Sequence, residues 1–235
     1  MKKKVIAFTL YKAPNTWEEE NLTSFIKYFN GFKQNIDLIK TLYPDWWIYV
    51  YHNKDLDISK INIDYDKFEW KLVDNLDIAA MQWRFLPNDD EDVELFISRD
   101  IDSRITSREV QSVNEWIDSN KILHIMRDHP HHHYKILGGM WGMRSQKDFN
   151  MLESCVIYNK NHSYNSNTSW YEKWWDMNFL RDVIYDKYSH NSYINASYFR
   201  DEFWAKDFTI ERVNSHFIGE IFDENNIRGE HYRQL

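Results

Sequence analysis

Val93-Glu94-Leu95-Phe96-Ile97-Ser98-Arg99-Asp100-Ile101-Asp102 joins an apolar run of strand length to a pair of acids. The run at 93–97 predicts a buried β-strand. In an open α/β sheet, ligands gather outside the carboxyl ends of the strands. Acids in that position are therefore candidates for a site as well as for a solvated turn. Residues two apart on extended backbone share a face, so Asp100 and Asp102 can reach one cation. Carboxylates at a strand end, with room for water and phosphate oxygens, suit Mg2+ or Mn2+. The spacing alone recurs at Asp55/Asp57 and Asp64/Asp66. It is the strand leading into Asp100 that distinguishes this pair.

Working outward, further strands are predicted at 5–10, 46–51, 68–73, 122–126, 136–143 and 208–213, where β-branched and aromatic residues cluster. Helices are predicted at 21–42, 78–86, from Ser107 onward, at 149–158 and at 174–185. Asn30-Gly31 is expected to interrupt the first and Pro44 to stop it; Pro87 should end the second. Ser107-Arg108-Glu109-Val110 reads as a capping pattern for the third. Strands alternating with helices predict an α/β fold with a mostly parallel central sheet flanked by helices. With only 6 Gly and 4 Pro there is no linker composition, so 1–235 reads as a single domain.

Composition narrows the function classes. The 11 Trp, 15 Tyr and 14 Phe supply too much buriable area for a disordered chain. The net charge of −8 speaks against a nucleic-acid partner, which would call for a basic field. One Cys excludes an intrachain disulfide and fits a cytoplasmic location. No apolar run approaches the roughly 20 residues of a membrane span, and the run after the N-terminal lysines stops at Tyr11-Lys12, short for a signal peptide.

Two other stretches carry candidate chemistry. Leu123-His124-Ile125-Met126-Arg127-Asp128-His129-Pro130-His131-His132-His133 is rich in histidine, but its spacing matches no zinc site and reads as a polar loop. Asp128 and His129 remain candidates for lining a pocket. Ile136-Leu137-Gly138-Gly139-Met140-Trp141-Gly142-Met143 concentrates glycine in a chain sparing with it. That fits a close approach of backbone to a ligand, a φ > 0 turn, or a bulged strand packed on a helix.

Three segments together resemble a glycosyltransferase of the GT-A fold. They are Arg99-Asp100-Ile101-Asp102-Ser103-Arg104, His124-Ile125-Met126-Arg127-Asp128-His129-Pro130 and Gly138-Gly139-Met140-Trp141-Gly142. Their order and spacing most resemble small single-domain transferases of large DNA viruses and bacteria. More distantly the chain is similar to the retaining galactosyltransferase and glycogenin-like family. Trp83-Arg84-Phe85 stands where that family has a donor-side Arg. Asp176-Met177-Asn178 stands where it has an Asp-Gln pair, without the Gln. His216-Phe217-Ile218-Gly219 matches its closing His-aromatic-x-Gly, but Glu220-Ile221-Phe222 replaces the Lys-Pro-Trp, which leaves the phosphate-gripping Lys unassigned. His190-Asn191-Ser192 resembles a His-Asp-Ser segment of the viral relatives.

The resemblance implies a nucleotide-sugar-binding part at about 1–104 and an acceptor part at about 105–235. It implies metal-dependent transfer of a sugar from a nucleotide-diphosphate sugar, UDP-sugar favoured, to a glycan acceptor, in the cytoplasm (of a host cell if the source is viral). Mn2+ or Mg2+ would be held by Asp100, Asp102 and His216, or His190 in its place. The donor would meet Thr9, Tyr11, Arg84, Arg99, Asp100 and Asp102, with Tyr11 stacking on the base. The acceptor would lie over Gly138, Gly139, Trp141 and Trp174, the last within Trp170-Tyr171-Glu172-Lys173-Trp174-Trp175. Asp128 and Asp176 are the candidates for catalytic base or acceptor-orienting group. Two alternatives stand beside this. A nucleotidyltransferase of similar fold would be expected to carry a Gly-rich basic loop where this chain has Tyr11-Lys12-Ala13-Pro14-Asn15. A non-catalytic carbohydrate-binding relative would be expected to have lost the paired acids, which are both present.

Overall fold

The computed structural model describes residues 2–12, 19–167, 172 and 174–235. Seven strands form one sheet: β1 (Lys3–Thr9), β2 (Trp47–His52), β3 (Phe68–Leu72), β4 (Val93–Arg99), β5 (Leu123–Arg127), β6 (Met140–Arg144) and β7 (Ser192–Ala196). Their order is β3-β2-β1-β4-β6-β5-β7. Every pairing is parallel except those of β6, which runs antiparallel to β4 and β5.

Alternation along β1 divides the core. Ile6 and Phe8 face α1 (Glu19–Leu42) and α2 (Ser107–Ser119), against Phe32, Ile36, Ile39, Val113 and Trp116. Val5 and Ala7 face the other way, toward Trp83 and Phe85 of a 3-10 segment (Ala80–Asp89). The same layer holds Cys155 of α3 (Met151–Asn161) and Phe179 of α4 (Trp175–Phe179). A strand buried on both faces has no use for polar alternation, which is why these runs are continuously apolar. This is the mostly parallel α/β sheet flanked by helices that the sequence pattern implies, of the GT-A or Rossmann-like kind that the resemblance implies. No helix of the described residues is long and apolar enough to cross a membrane.

Several local expectations are corrected. α1 runs unbroken through Asn30-Gly31. Gly31 is there because a Cβ would lie 2.2 Å from the Ile101 carbonyl oxygen, so only glycine lets the helix lie this close to the loop after β4. Residues 80–89 form a 3-10 segment that continues through Pro87, and the cap of α2 is Thr106, whose hydroxyl accepts from Glu109 N. β6 starts only at Met140, with Gly138-Gly139 in the turn before it. Residues 208–213 are no strand. Phe208 packs on Met126, Met140 and Ile218 outside the sheet, and the edge place is taken by β7. α4 continues into a π-helical turn, Leu180–Tyr185.

From β1 the sheet grows outward through β2 to β3, then resumes with β4 on the other side of β1. That reversal opens a crevice at the carboxyl ends of β1 and β4, where an open α/β sheet binds its ligands.

Candidate active site

Asp100 leaves the end of β4 at this crevice. The backbone turns there instead of staying extended: Ser103 N and Ser103 Oγ both donate to the Asp100 carbonyl, at 3.2 and 2.8 Å. The turn still makes the two carboxylates neighbours. Burial raises the Asp102 pKa, and the charge of Asp100 raises it further. Asp102 is the more enclosed, with its side chain 12% exposed, and its Oδ2 lies 2.7 Å from Lys27 Nζ on α1. Asp100 is 39% exposed and accepts from Arg84 Nη1 at 2.5 Å. α1 is pinned to this loop by Asn35, whose Nδ2 donates to the carbonyls of Ile101 and Ser103 and whose Oδ1 accepts from Ile105 N.

Arg84 is buried and bridges two acids. Besides Asp100 it reaches Asp176 Oδ2 with Nη2 at 3.1 Å, and Nη1 also donates to the Arg99 carbonyl at 3.0 Å. Asp176, on the first turn of α4, is buried; its Oδ1 accepts from Met177 N at 2.9 Å. Burial pushes its pKa up, Arg84 pulls it down and Asp100 pushes it up again, with a net rise. A carboxyl poised this way is suited to take up a proton.

The two glycines serve these side chains. A Cβ at Gly138 would sit 2.1 Å from Asp176 Oδ2 and 2.5 Å from Arg84 Nη2; at Gly139 it would sit 2.1 Å from Asp100 Oδ2 and 2.8 Å from Asp100 N. Backbone approaches closely here, but the partners are the protein's own acids. Gly139→Ala must move Asp100 off its position. Since the crowded atoms include a backbone nitrogen, Gly139→Ala should lower the free energy of unfolding by about 1–3 kcal/mol, the usual cost of overpacking. Parental stability in urea would contradict this placement.

Aromatic rings wall the crevice. Tyr11 packs edge-on against Trp83 at 5.9 Å between centroids. Burial drives its hydroxyl up to about 12, while the charges of Arg84 and Asp176 act on it in opposite directions. Tyr28, also raised by burial, feels Asp102, Tyr11 and Asp100. Thr9, at the end of β1, has its Oγ1 buried with no hydrogen-bond partner among the described residues. Trp174 is 54% exposed, in left-handed backbone (φ +84°) two residues before Asp176. Trp170, Tyr171, Lys173 and residues 13–15 lie outside the described residues.

Other expected site residues lie elsewhere, each for a physical reason. Arg99 turns away from the crevice into the core, where Nε meets Glu109 Oε1 at 2.6 Å and Nη1 donates to the carbonyls of Ser98 and Trp141. Trp141 is fully buried, edge-on to Phe85 and Phe96, so it offers no face to an acceptor. Asp128 is fully buried and saturated by Arg108, Arg212, Ser197 and Ile218 N, which leaves no lone pair for an acceptor hydroxyl. His216 pairs through Nδ1 with Glu220 at 2.5 Å. It lines a separate cavity of about 510 Å³ with Arg104 and Phe222, to which neither aspartate contributes. His190 precedes β7, which runs in the same direction as β4, so it sits at the opposite edge of the sheet from Asp100.

Among the described residues no group of three or more His, Cys, Asp or Glu side chains converges on a cation position. Mg2+ does not require one. It is usually held by one or two carboxylates and completes its shell with water and substrate phosphates. Asp100 and Asp102 are hard oxygen donors side by side, one of them open to solvent, and they fit such an ion. Sequence reading missed Lys27 and Tyr28. The available signal was that α1 follows β1, so its early turns come to the edge where the strand-end acids emerge.

No protein-family model matches the chain, and no curated protein matches it. It is similar to the 4-diphosphocytidyl-2C-methyl-D-erythritol synthase of Anaerococcus prevotii, with 13% identity over 89% of this chain and 94% of that one, TM-score 0.44. It is also similar to a manganese complex of Rv0371c from Mycobacterium tuberculosis, with 5% identity over 61% of this chain and 71% of that one, TM-score 0.35. A third is HddC of Yersinia pseudotuberculosis, with 12% identity over 63% and 80%, TM-score 0.32. The fold rests on the strand order above, and what the site can do rests on its side chains.

Proposed function

We propose that this chain is a divalent-metal-dependent transferase acting on a nucleotide-diphosphate sugar and passing the sugar to a carbohydrate acceptor. One observation carries the reading. Asp100 and Asp102 stand as neighbours at the reversal of strand order, with Arg84 and Asp176 converging on them over two glycines. Mn2+ or Mg2+ held by Asp100 and Asp102 would offset the charge that develops on the leaving diphosphate. Arg84 fixes the separation of Asp100 and Asp176 by holding both in one planar fork. Asp176, with its raised pKa, is the group to share or accept the proton of an acceptor hydroxyl. Thr9 Oγ1 and the Tyr11 ring face the donor's nucleoside, and Trp174 offers a flat exposed surface for a sugar. The single buried Cys155 suits the reducing cytoplasm.

A second reading, nucleotidyl transfer from a nucleoside triphosphate to a sugar phosphate, is favoured by Lys27. It places an ammonium 2.7 Å from Asp102, where a triphosphate would need one. The name of the Anaerococcus prevotii synthase points to chemistry of the same kind. One panel separates the readings. Each nucleotide sugar is incubated with Mn2+ without acceptor, and each nucleoside triphosphate with a set of sugar 1-phosphates. Release of a nucleoside diphosphate from one donor is the expected result. Pyrophosphate release in the second arm alone would replace the first reading with the second, and silence in both would contradict each.

A further inference from the structure

Lys27 is a cation at the paired acids that can change partner. Arg84 is buried and held by Asp100, Asp176 and the Arg99 carbonyl together. In the C-terminal segment, where the resemblance would have a phosphate-gripping Lys, His216 and Arg228 both pair with Glu220. Lys27 instead sits at the mouth, 23% exposed, with its ammonium on a single carboxylate at 2.7 Å and 5.3 Å from the centre of the Tyr28 ring. A lysine is a point charge on a flexible four-carbon stem, so exchanging one anionic partner for another a few ångströms away distorts nothing else.

The charges favour such an exchange. Asp100, Asp102 and Asp176 face Arg84 and Lys27, which leaves the cluster already one negative charge in excess. A diphosphate arriving alone would deepen that excess. A divalent ion arriving alone would have to share the Asp102 carboxylate with an ammonium at contact distance. Arriving together they leave the excess unchanged, since the two positive charges of the ion offset the two negative charges of a nucleotide-sugar diphosphate, with the ion on the carboxylates and the ammonium on the phosphate oxygens.

We propose that Lys27 and the divalent cation compete for Asp102, so that the metal seats as Lys27 transfers its ammonium to the diphosphate of the incoming nucleotide. The proposal rests on the metal-dependent reading above and adds its order and its gate. Metal and nucleotide then tighten each other's binding by one common factor.

The test is Lys27→Met, with Mn2+ binding followed by electron paramagnetic resonance and nucleotide binding by calorimetry, using UDP first and GDP, CDP and ADP after it. Removing the competitor should tighten Mn2+ alone by about tenfold, while losing a charge-assisted contact should weaken the nucleoside diphosphate at saturating Mn2+ by about tenfold. Lys27→Arg, which keeps the charge, should stay on the parental side of both changes, and circular dichroism checks that each variant is folded. A bystander lysine would move neither affinity and a merely supporting one would weaken both; either result overturns the proposal while leaving metal-dependent binding in the parent intact. If the parent binds none of the four nucleotides with Mn2+, the reading beneath it falls and the proposal with it.

Discussion

Asp128→Ala is expected to lower the free energy of unfolding by about 3–5 kcal/mol, the usual cost of stranding a buried charge. Asp128 is fully buried. Its Oδ2 accepts from Arg108 Nε at 2.9 Å and Ile218 N at 3.0 Å; its Oδ1 accepts from Arg108 Nη2 at 2.8 Å and Arg212 Nη2 at 2.6 Å. Arg108 is itself buried and also donates to the Ile210 carbonyl, so the hub ties α2 and β5 to the chain between 210 and 218. Without the carboxylate, Arg108 keeps its charge in the interior and loses its partner. Urea unfolding measures the loss. Below its melting point the variant should keep donor hydrolysis within severalfold, because no acceptor can reach Asp128. A folded Asp128→Ala with parental stability and no turnover would return this residue to a catalytic role.

Arg84→Met is expected to cost a similar amount, about 3–5 kcal/mol, and to remove metal-dependent nucleotide binding as well. Asp176 is 7% exposed at its side chain and would lose the guanidinium that faces it. Asp100 would lose the contact that fixes its orientation. Arg84→Lys should not restore either, since one ammonium cannot span two carboxylates as a planar fork does. The destabilisation should also depend on pH in a stated direction. The folded-state pKa of Asp176 is already raised by burial, and losing Arg84 raises it further. The folded variant then binds a proton more readily than the unfolded chain, so its stability falls as pH rises. Its deficit relative to the parent should shrink toward acid, where a protonated Asp176 needs no counter-charge. Melting temperatures across pH check this; a deficit independent of pH would contradict the role given to Asp176.

How far the sequence could be read depended on the distance between partners. β1, β2 and β4 were legible because a strand buried on both faces is a continuous apolar run. β7 was not, because Ser192-Tyr193-Ile194-Asn195-Ala196 is half polar. Its buried Asn195 is satisfied by Ser112 and His124, far away in the chain. Gly31 was legible as unusual but not as a contact, since Ile101 lies seventy residues on. The acids at Asp100 and Asp102 stood out because a strand announces its own end. The arginines beside the motifs misled for the complementary reason. Arg99 and Arg127 read as possible ligands or motif members, yet each meets a buried carboxylate, Glu109 and Glu202 respectively, in the interior. Much of the three-part resemblance is therefore architecture. It places the acids and glycines that face the crevice, and the proposed chemistry rests on those. Lys27 left no local sign, because what makes it special is Asp102, a residue of another element.

The proposed seating of a diphosphate over the paired acids is tested most directly by calorimetric titration of nucleoside diphosphates into the parent and into Asp102→Asn, each with Mn2+ and with chelator. The carboxylate should be required: one nucleotide should bind the parent only with Mn2+, and Asp102→Asn should bind it no better with the ion than without. If Asp102→Asn binds nucleotide and Mn2+ as tightly as the parent does, the acids do not hold the cation and the site described here is not the site of transfer.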